Sequence, residues 1–361
     1  MSVTSVATAF KPQSAVVMVG IESTEGTQAT MTLAANVIPT VDFMVDYDMT
    51  QATPALESPT GGVYLAGTTA MKLSGSFTTY LHGGGVDGSS NPNSIRFLTH
   101  VLQTCGNVVV DGGAHTRVWY PVLSKPTHTD ASSTVTTPGA SFSVTAYVAG
   151  RGRTDVAASG SEKLSTALVN CKVSKLTFTE MTGDLTKVDV EFLGMPYSSQ
   201  EMPAEVQADL DNFAYEKAPA YFWTSNQNTV QIGGTSAFVE ARTTTIDYGT
   251  AHVLTDGSKW SVGGIALGDI SVTGTVRFIA ETVDEWTKAS AGTIVAIECT
   301  GSLEPANLGL SAAGYVGNLT IPNALIKPKW DLGGNIAMVD AEFVAGKATA
   351  ETDRRVTLTW S

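Results

Sequence analysis

The stretch Leu168–Gly194, LVNCKVSKLTFTEMTGDLTKVDVEFLG, has the pattern of a β-hairpin. Its first half alternates over Val173–Phe178, a turn follows at Thr182–Asp184, and its second half alternates over Val188–Leu193. Alternation with a period of two on both sides of a Gly-containing turn is a strong short-range signal for a hairpin. The stretch therefore predicts two antiparallel strands, and it indicates that the chain is mainly β.

The same pattern returns near the C-terminus, over Leu325–Gly346, with its turn at Leu332–Asn335. The closing strands of the two hairpins are VDVEF at Val188–Phe192 and VDAEF at Val339–Phe343, which differ at a single position. A chain that builds one hairpin twice is expected to build one domain twice, since sequence repetition of this kind indicates repeated structural units.

Elements before each hairpin recur in the same order. A strand is predicted at Thr69–Leu81 and another at Asp269–Ala280, and KLSGSF at residues 72–77 resembles SVTGTV at residues 271–276. A helix is predicted at Ser94–Cys105 from its apolar spacing, and a second helix candidate is Thr282–Ala291. The first copy is longer, and its extra residues are most simply placed within Gly106–Gly160.

These observations divide the chain into three parts. Residues 1–196 form a first domain with inserted loops, residues 197–228 a Pro-containing acidic linker, and residues 229–361 a second, shorter domain. The chain has 361 residues, enough for two domains of ordinary size.

Composition limits the function classes. Charged residues make up only 15% of the chain, below the roughly 25% typical of globular proteins, which favours a protein with extensive interfaces. The formal net charge of −13 argues against binding to nucleic acid, because affinity for the phosphate backbone comes mainly from Lys and Arg. The three cysteines have neither a disulfide framework nor zinc-ligand spacing. No apolar run is long enough for a membrane helix, and the N-terminal residues lack the pattern of a signal peptide.

Motifs for chemistry are missing from the sequence. There is no HxxxH pair, no GxSxG motif and no glycine-rich loop followed by GK[ST]. Asp46-Tyr47-Asp48 lacks the spacing of a calcium loop and is interpreted as a solvated turn. We therefore predict that the protein is not an enzyme and has no catalytic, cofactor-binding or metal site.

Two pairs of acids, Asp189 with Glu191 and Asp340 with Glu342, stand on the closing strands of the hairpins. Both acids of a pair face the same side of a strand, and the apolar residues face the other side. The acids are candidates for the lining of a channel or groove. Two alternatives stay open from the residues alone, the solvated face of an amphipathic sheet and a glycosidase carboxylate pair.

The order of IESTEGTQAT near the start, strand KLSGSFTTYL, helix SIRFLTHVLQTCG and hairpin KVSKLTFTEMTGDLTKVDVEFLG resembles the tail tube (major tail) proteins of long-tailed bacteriophages. The resemblance covers most of residues 15–196, and Asp269–Gly346 resembles the same domain in reduced form. It implies two tandem β-sandwich or barrel domains, each with a flanking helix and a hairpin that joins an inter-subunit β-barrel. The residues implied for the inner-barrel hairpins are Val188, Val190, Phe192, Val339 and Phe343, and the implied acidic lumen lining is Asp189, Glu191, Asp340 and Glu342.

The resemblance also implies partners and a location. The chain is expected to form rings with itself, as a trimer with pseudo-sixfold symmetry in preference to a hexamer, and the rings to stack into a tube. Tape-measure protein, tail terminator and baseplate proteins are the implied neighbours, and double-stranded DNA passes through without specific binding. The implied location is the virion tail, assembled in the host bacterial cytoplasm. Thr50–Gly67 and Thr127–Gly139 are candidate loops for contacts between rings.

Two other classes remain as alternatives. A secreted or surface self-assembling β-protein, such as an adhesin or pilus-like subunit, would share the Thr-rich strands. A capsid decoration protein would assemble on a shell instead of a tube.

Overall fold

The computed structural model describes residues 10–31, 36–38, 40–52, 67–83, 99–111, 116–122, 139–150, 163–182, 184–197, 221–222, 229–255, 262–279, 294–302, 316–334, 336–346 and 354–360. Strands dominate this part of the chain. The strands up to residue 222 are β1 (Phe10–Ile21), β2 (Val37–Ile38), β3 (Met44–Ala52), β4 (Gly67–Tyr80), β5 (His82–Gly83), β6 (Gly106–Asp111), β7 (Thr116–Pro121), β8 (Phe142–Gly150), β9 (Lys163–Met181), β10 (Lys187–Pro196) and β11 (Tyr221–Phe222). One short helix, α1, spans Thr99–Cys105 in the described residues.

The later strands are β12 (Thr229–Ile232), β13 (Thr235–Ala237), β14 (Val239–Asp247), β15 (Ala251–Leu254), β16 (Val262–Ala266), β17 (Ser271–Ile279), β18 (Ile294–Ser302), β19 (Val316–Asp331), β20 (Met338–Ala345) and β21 (Thr357–Trp360). The chain is thus mainly β, as the alternating patterns predict.

Antiparallel pairing joins most of the strands into one large sheet. In the first half of the chain the neighbours are β3, β4, β10, β9, β8 and β1, in that order, and β2 pairs with β1. In the second half the neighbours are β14, β17, β20, β19, β18 and β12, followed by β13. The two series have the same order of pairing and the same antiparallel sense.

One pairing, that of β9 with β14, connects these series, and a side branch extends from β19. The C-terminal part of β9 pairs with β14, and β19 pairs with β21, which pairs with β7 and through it with β6. Among the described strands the pairings form a branched, open network that does not close into a barrel. Two small two-stranded sheets, β5 with β11 and β15 with β16, complete the architecture.

One apolar core runs under both series. It contains aromatic side chains from seven strands together with apolar residues of α1, all below 9% exposure. The fully buried members with the largest side chains include Phe77, Trp119, Phe142, Phe192 and Phe343. Burial of apolar area on this scale is the main stabilising contribution to such a sheet.

The hairpin at Leu168–Gly194 is confirmed as β9 and β10, but its alternation is interrupted. Glu191 lies opposite Lys175 while Phe192 lies opposite Val173, so Ser174 is an extra residue, a β-bulge. The sequence pattern puts Val173 on the opposite face from Leu176, whereas both are buried. A bulge explains the difference, because one inserted residue reverses the faces of the strand beyond it.

Other sequence-based boundaries shift in the structure. Thr50–Ala52 belongs to β3 and not to the candidate loop Thr50–Gly67. The first five residues of the predicted helix Ser94–Cys105, the predicted helix Thr282–Ala291 and most of the predicted linker lie outside the described residues.

A buried carboxylate ties three strands together at one edge of the core. Glu22 accepts hydrogen bonds from the Ser141 and Ser143 hydroxyls at 2.6 and 2.7 Å and from the Asn170 N–H at 2.8 Å. The Gly26 N–H donates to the same carboxylate at 2.8 Å. Four donors offset the cost of burying this charge, so Glu22 is a structural group that fixes β1 against β8 and β9.

Candidate assembly and lining surfaces

Eight neighbouring strands, β3, β4, β10, β9, β14, β17, β20 and β19, share one face that points away from the core. The register of each pair places directly opposite residues on this face. We call it the polar face. Its polar residues are Asp46, Asp48, Lys72, Ser74, Ser76, Thr78, Lys187, Asp189, Glu191, Lys175, Thr177, Thr179, Thr243, Thr245, Asp247, Ser271, Thr273, Thr275, Arg277, Asp340, Glu342, Lys327, Lys329 and Asp331. The exposed apolar residues on the same face are Met44, Met181, Leu325 and Val344.

All four acids singled out by sequence lie on the polar face. Asp189 and Asp340 are half-buried, and Glu191 and Glu342 are exposed. The five apolar residues of the same strands face the core, and each is at most 1% exposed; they are Val188, Val190, Phe192, Val339 and Phe343. The expected division of each closing strand into an acidic and an apolar side is therefore present.

Three of the four acids have polar partners within the sheet. The Thr78 hydroxyl donates to Asp189, Lys175 Nζ lies 2.9 Å from Glu191 Oε1, and Arg277 contacts Asp340 at 3.3 Å. These partners make the polar face a mixed surface of threonines and paired charges, with some excess of acid.

Arg277 is the centre of the largest charge cluster on the polar face. Its guanidinium lies 2.6 Å from Glu240 and 3.0 Å from Asp331, in addition to Asp340. The pKa of Asp331 is lowered, first by the hydrogen bond it accepts from the Gly333 N–H and then by the Arg277 charge. The cluster fixes the turn of the second hairpin against β17.

Threonine hydroxyls continue the polar face across the middle of the sheet. The Thr177 and Thr245 hydroxyl oxygens are 3.3 Å apart across β9 and β14, and those of Thr243 and Thr275 are 2.7 Å apart across β14 and β17. Neutral hydroxyls pair with one another and bind water without a net charge, so this part of the surface offers no cation to a phosphate backbone.

The two hairpins pack on their neighbouring strands in the same way. A Cβ on Gly75 of β4 would lie 2.3 Å from Phe192 Cζ of β10, and a Cβ on Gly274 of β17 would lie 2.4 Å from Phe343 Cζ of β20. Each phenylalanine ring thus covers a glycine directly opposite it. Only glycine permits so close an approach, because any side chain would occupy the position of the ring.

The pairing of β9 with β14, which we call the internal junction, joins the two hairpin series edge to edge. Its register runs from Lys175 opposite Asp247 to Met181 opposite Ala241. On its core side Arg242 Nε lies 2.7 Å from Glu180 Oε2, with side chains 1% and 9% exposed. This buried ion pair makes the internal junction specific, since either charge alone would be costly to bury.

The two outermost of the eight strands that form the polar face, β3 and β19, have open outer edges. In the part of the chain that the structure describes, no strand lies along the outer edge of β3 or along that of β19 beyond Ile326. The large side chains at these edges are exposed, with Met44 at 66%, Met49 at 50% and Leu332 at 72%. We call these segments, residues 43–49 and 326–332, the open edges.

The open edges were missed by reasoning from the sequence alone. Asp46 and Asp48 lie on strand β3, so the interpretation of Asp46-Tyr47-Asp48 as a solvated turn is wrong. The alternation of Met44, Asp46 and Asp48 with Val45 and Tyr47 was the available signal, because period-two alternation favours a strand.

The described residues contain no group of three or more His, Cys, Asp or Glu side chains placed to hold a metal ion. No helix within these ranges has the length and apolar character needed to cross a membrane. The candidate ring-contact loops, Thr50–Gly67 and Thr127–Gly139, lie almost wholly outside the described residues, except for Thr50–Ala52 in β3, Gly67 in β4 and Gly139. Comparison of the chain with models of known protein families and with curated proteins gave no match.

Proposed function

We propose that this protein is the structural subunit of a bacteriophage tail tube, in which copies of the chain form rings that stack around a channel for DNA. The observation that carries the proposal is the repeated order of strand pairing. The series β3, β4, β10, β9 recurs as β14, β17, β20, β19, and the first series is joined to the second through the internal junction.

A chain built in this way contains one complete junction, between β9 and β14. At each end of the eight strands it also has one strand of an equivalent junction whose partner strand is missing from the described part of the chain. β3 corresponds to β14, and β19 corresponds to β9. Open strand edges are ready templates for pairing with another chain, which monomeric proteins avoid. Pairing of β19 in one copy with β3 in the next repeats the internal junction between copies, and a head-to-tail contact of this kind gives a ring when it closes.

The repeated order also supports two tandem tube domains, at residues 1–196 and 229–361. The matched Gly75–Phe192 and Gly274–Phe343 contacts support this assignment residue by residue. β6 and β7 lie between α1 and β8, where the sequence places the insertion of the first copy. A ring of two-domain subunits would be a trimer with pseudo-sixfold symmetry.

The polar face suits the lumen of such a ring. The apolar side of each hairpin is buried in the core, so the polar side is the one left to face a channel. Threonines, paired charges and an excess of acid offer few contacts to DNA phosphates, because binding to DNA needs cations that release its counterions. DNA would therefore pass through without being held.

Electron microscopy of the purified protein, with the mass measured by light scattering on the same sample, tests the proposal. We expect rings or hollow tubes with a central hole and three copies per ring. A protein that stays monomeric up to high concentration contradicts the proposal. Open filaments without a channel would instead favour a pilus-like or adhesin subunit.

A further inference from the structure

The internal junction fixes, residue by residue, how one copy of the chain meets the next. Equivalent residues of the two hairpins can be identified, because the strands of the two series pair in the same register. Val188 and Phe178 are opposite in the first hairpin and Val339 and Trp330 in the second. Phe178 therefore corresponds to Trp330, and Lys175 corresponds to Lys327.

The other side of the junction is fixed in the same way. Gly75 and Gly274 occupy equivalent positions, and they lie opposite Val45 in β3 and Thr244 in β14. Thr244 therefore corresponds to Val45, and Asp247 corresponds to Asp48. The internal register, in which Lys175 is opposite Asp247, becomes Lys327 opposite Asp48 of the next copy.

We propose that Lys327 and Lys329 of one copy pair with Asp48 and Asp46 of the next copy, and that this charge register selects the head-to-tail contact. The inference rests on the assembly proposed above and assigns its residues. In the single chain all four side chains are exposed and lie on the polar face. Opposite charges directly across an antiparallel pair are stabilising, and like charges are destabilising.

Neighbouring strands extend this pairing into an alternating ladder. Glu342 lies opposite Lys327 within one copy, and Lys72 lies opposite Asp48 within the other. The contact thus creates the row Glu342, Lys327, Asp48, Lys72 across four strands and two copies. The internal junction has the first three charges of the same row, because Glu191 lies opposite Lys175 and Lys175 lies opposite Asp247.

The core side of the contact is apolar. The same register places Trp330 opposite Val45 and Leu332 opposite Phe43, where the internal junction has Phe178 with Thr244 and Glu180 with Arg242. Phe43 and Val45 already pack at the margin of the core. Leu332 would be covered by the next copy, which accounts for so exposed a leucine in the single chain.

The charges also exclude wrong pairings. A contact between two β19 edges would place lysine against lysine, and a contact between two β3 edges would place aspartate against aspartate. Specificity of this kind needs a repulsive element against the competing arrangement as well as an attraction in the correct one.

Charge exchange tests the register. Two variants, Lys327→Glu with Lys329→Glu and Asp46→Lys with Asp48→Lys, should each raise the protein concentration needed for half-assembly by at least about tenfold. The fourfold variant that combines them should assemble again. Mixed with the native protein, it should form separate rings, because each mixed contact sets like charges against each other.

Asp269→Lys serves as the control, since it reverses an exposed acid before β17, away from both open edges. It should leave assembly unchanged. Within the single chain, Lys327→Glu lies opposite Glu342 and Asp48→Lys lies opposite Lys72, so each double variant should lower the thermal midpoint slightly by circular dichroism. Assembly is therefore compared at a temperature at which every variant is folded. Native rings that persist in both double variants, or a fourfold variant that mixes freely with native chains, would overturn the register and leave the tube proposal standing. A native protein that forms no rings would overturn both.

Discussion

The two hairpins are built alike but differ in what lies along their outer edges. β9 of the first hairpin is covered by β14, whereas β19 of the second is open beyond Ile326 in the described chain. Phe178 is 1% exposed and the corresponding Trp330 is 38% exposed. Glu180 is 7% exposed and the corresponding Leu332 is 72% exposed. The same backbone position is a core position in one hairpin and a surface position in the other.

The residue types follow this difference. The internal junction never separates, so it can contain a buried ion pair, Glu180 with Arg242, formed once during folding. In the proposed assembly the open edge has to remain soluble until it meets another copy, and its lysines and proline are residue types that protect strand edges. If the open edges pair as proposed, a permanent contact within the chain and an intermittent contact between copies share one geometry but have different side chains.

The largest effect is expected at the equivalent positions Glu180 and Leu332. Glu180→Ala removes the carboxylate that compensates the buried Arg242 charge, which should lower the free energy of unfolding by about 3–5 kcal/mol. Leu332→Ala changes an exposed side chain and should alter the stability of the single chain by no more than about 0.5 kcal/mol. Urea unfolding at a protein concentration below assembly measures both. Equal losses in the two variants would contradict the distinction between the junctions.

The comparison of the two junctions can be tested further by giving the internal junction the residues found at the equivalent positions of the open edges. In Glu180→Leu with Arg242→Phe, the ion pair is replaced by the apolar pair expected between copies. Replacement of a buried ion pair by packed apolar residues is often neutral or stabilising. We expect the double variant to be at least about 2 kcal/mol more stable than Glu180→Ala alone, by the same urea measurement. A double variant as unstable as the single one would show that the two junctions are not interchangeable.

The glycines under the phenylalanine rings test whether the two hairpins pack alike. Gly75→Ala and Gly274→Ala should each lower the free energy of unfolding by about 1–3 kcal/mol, because the added Cβ overlaps Phe192 or Phe343. The loss at Gly274 should be larger, since its Cβ would also lie 2.1 Å from the Thr243 carbonyl oxygen.

Gly264→Ala is the matched control in β16, because a Cβ there meets nothing within 4 Å. It should leave the thermal midpoint unchanged within about 1 °C for a chain of this size. If Gly75→Ala and Gly274→Ala leave the free energy of unfolding unchanged, the phenylalanine side chains can move aside at no cost, which would contradict the matched packing.

The smallest effect on stability is expected on the polar face. Reversal to Lys of Asp189 and Glu191, which lie away from the proposed contact between copies, should leave rings and tubes intact while slowing or blocking the passage of DNA, since added cations attract phosphates. Counting tubes by electron microscopy and measuring infectivity of particles that contain the variant separate the two effects. Unchanged infectivity with intact tubes would contradict a lumen position for these acids.

The fold class and both hairpins could be predicted because they depend on local patterns. The alternation of Val188–Phe192 and of Val339–Phe343 is set by the period of a strand, and it placed the acids and the apolar residues on the correct opposite sides. The bulge at Ser174 could not be predicted, because an inserted residue leaves no mark in composition and appears only in the register with β10.

The open edges depend on contacts that are distant in sequence. Whether Asp48 and Lys327 lie at free edges is determined by which strands pair with β3 and β19, and these pairings join residues far apart in the chain. Local propensity has no information on such pairings, since the same alternating strand fits a central or an edge position. The equivalence of Lys327 with Lys175 can be identified only by comparing the register of β9 with β10 and that of β19 with β20.

Amide hydrogen exchange measured below and above the concentration of assembly tests the central claim most directly, namely that the sheet continues from β19 of one copy into β3 of the next. Assembly should slow exchange in both open edges, residues 43–49 and 326–332, while the internal junction, already paired, stays slow throughout. Rings that form while both open edges exchange as fast as in the single chain would contradict the claim.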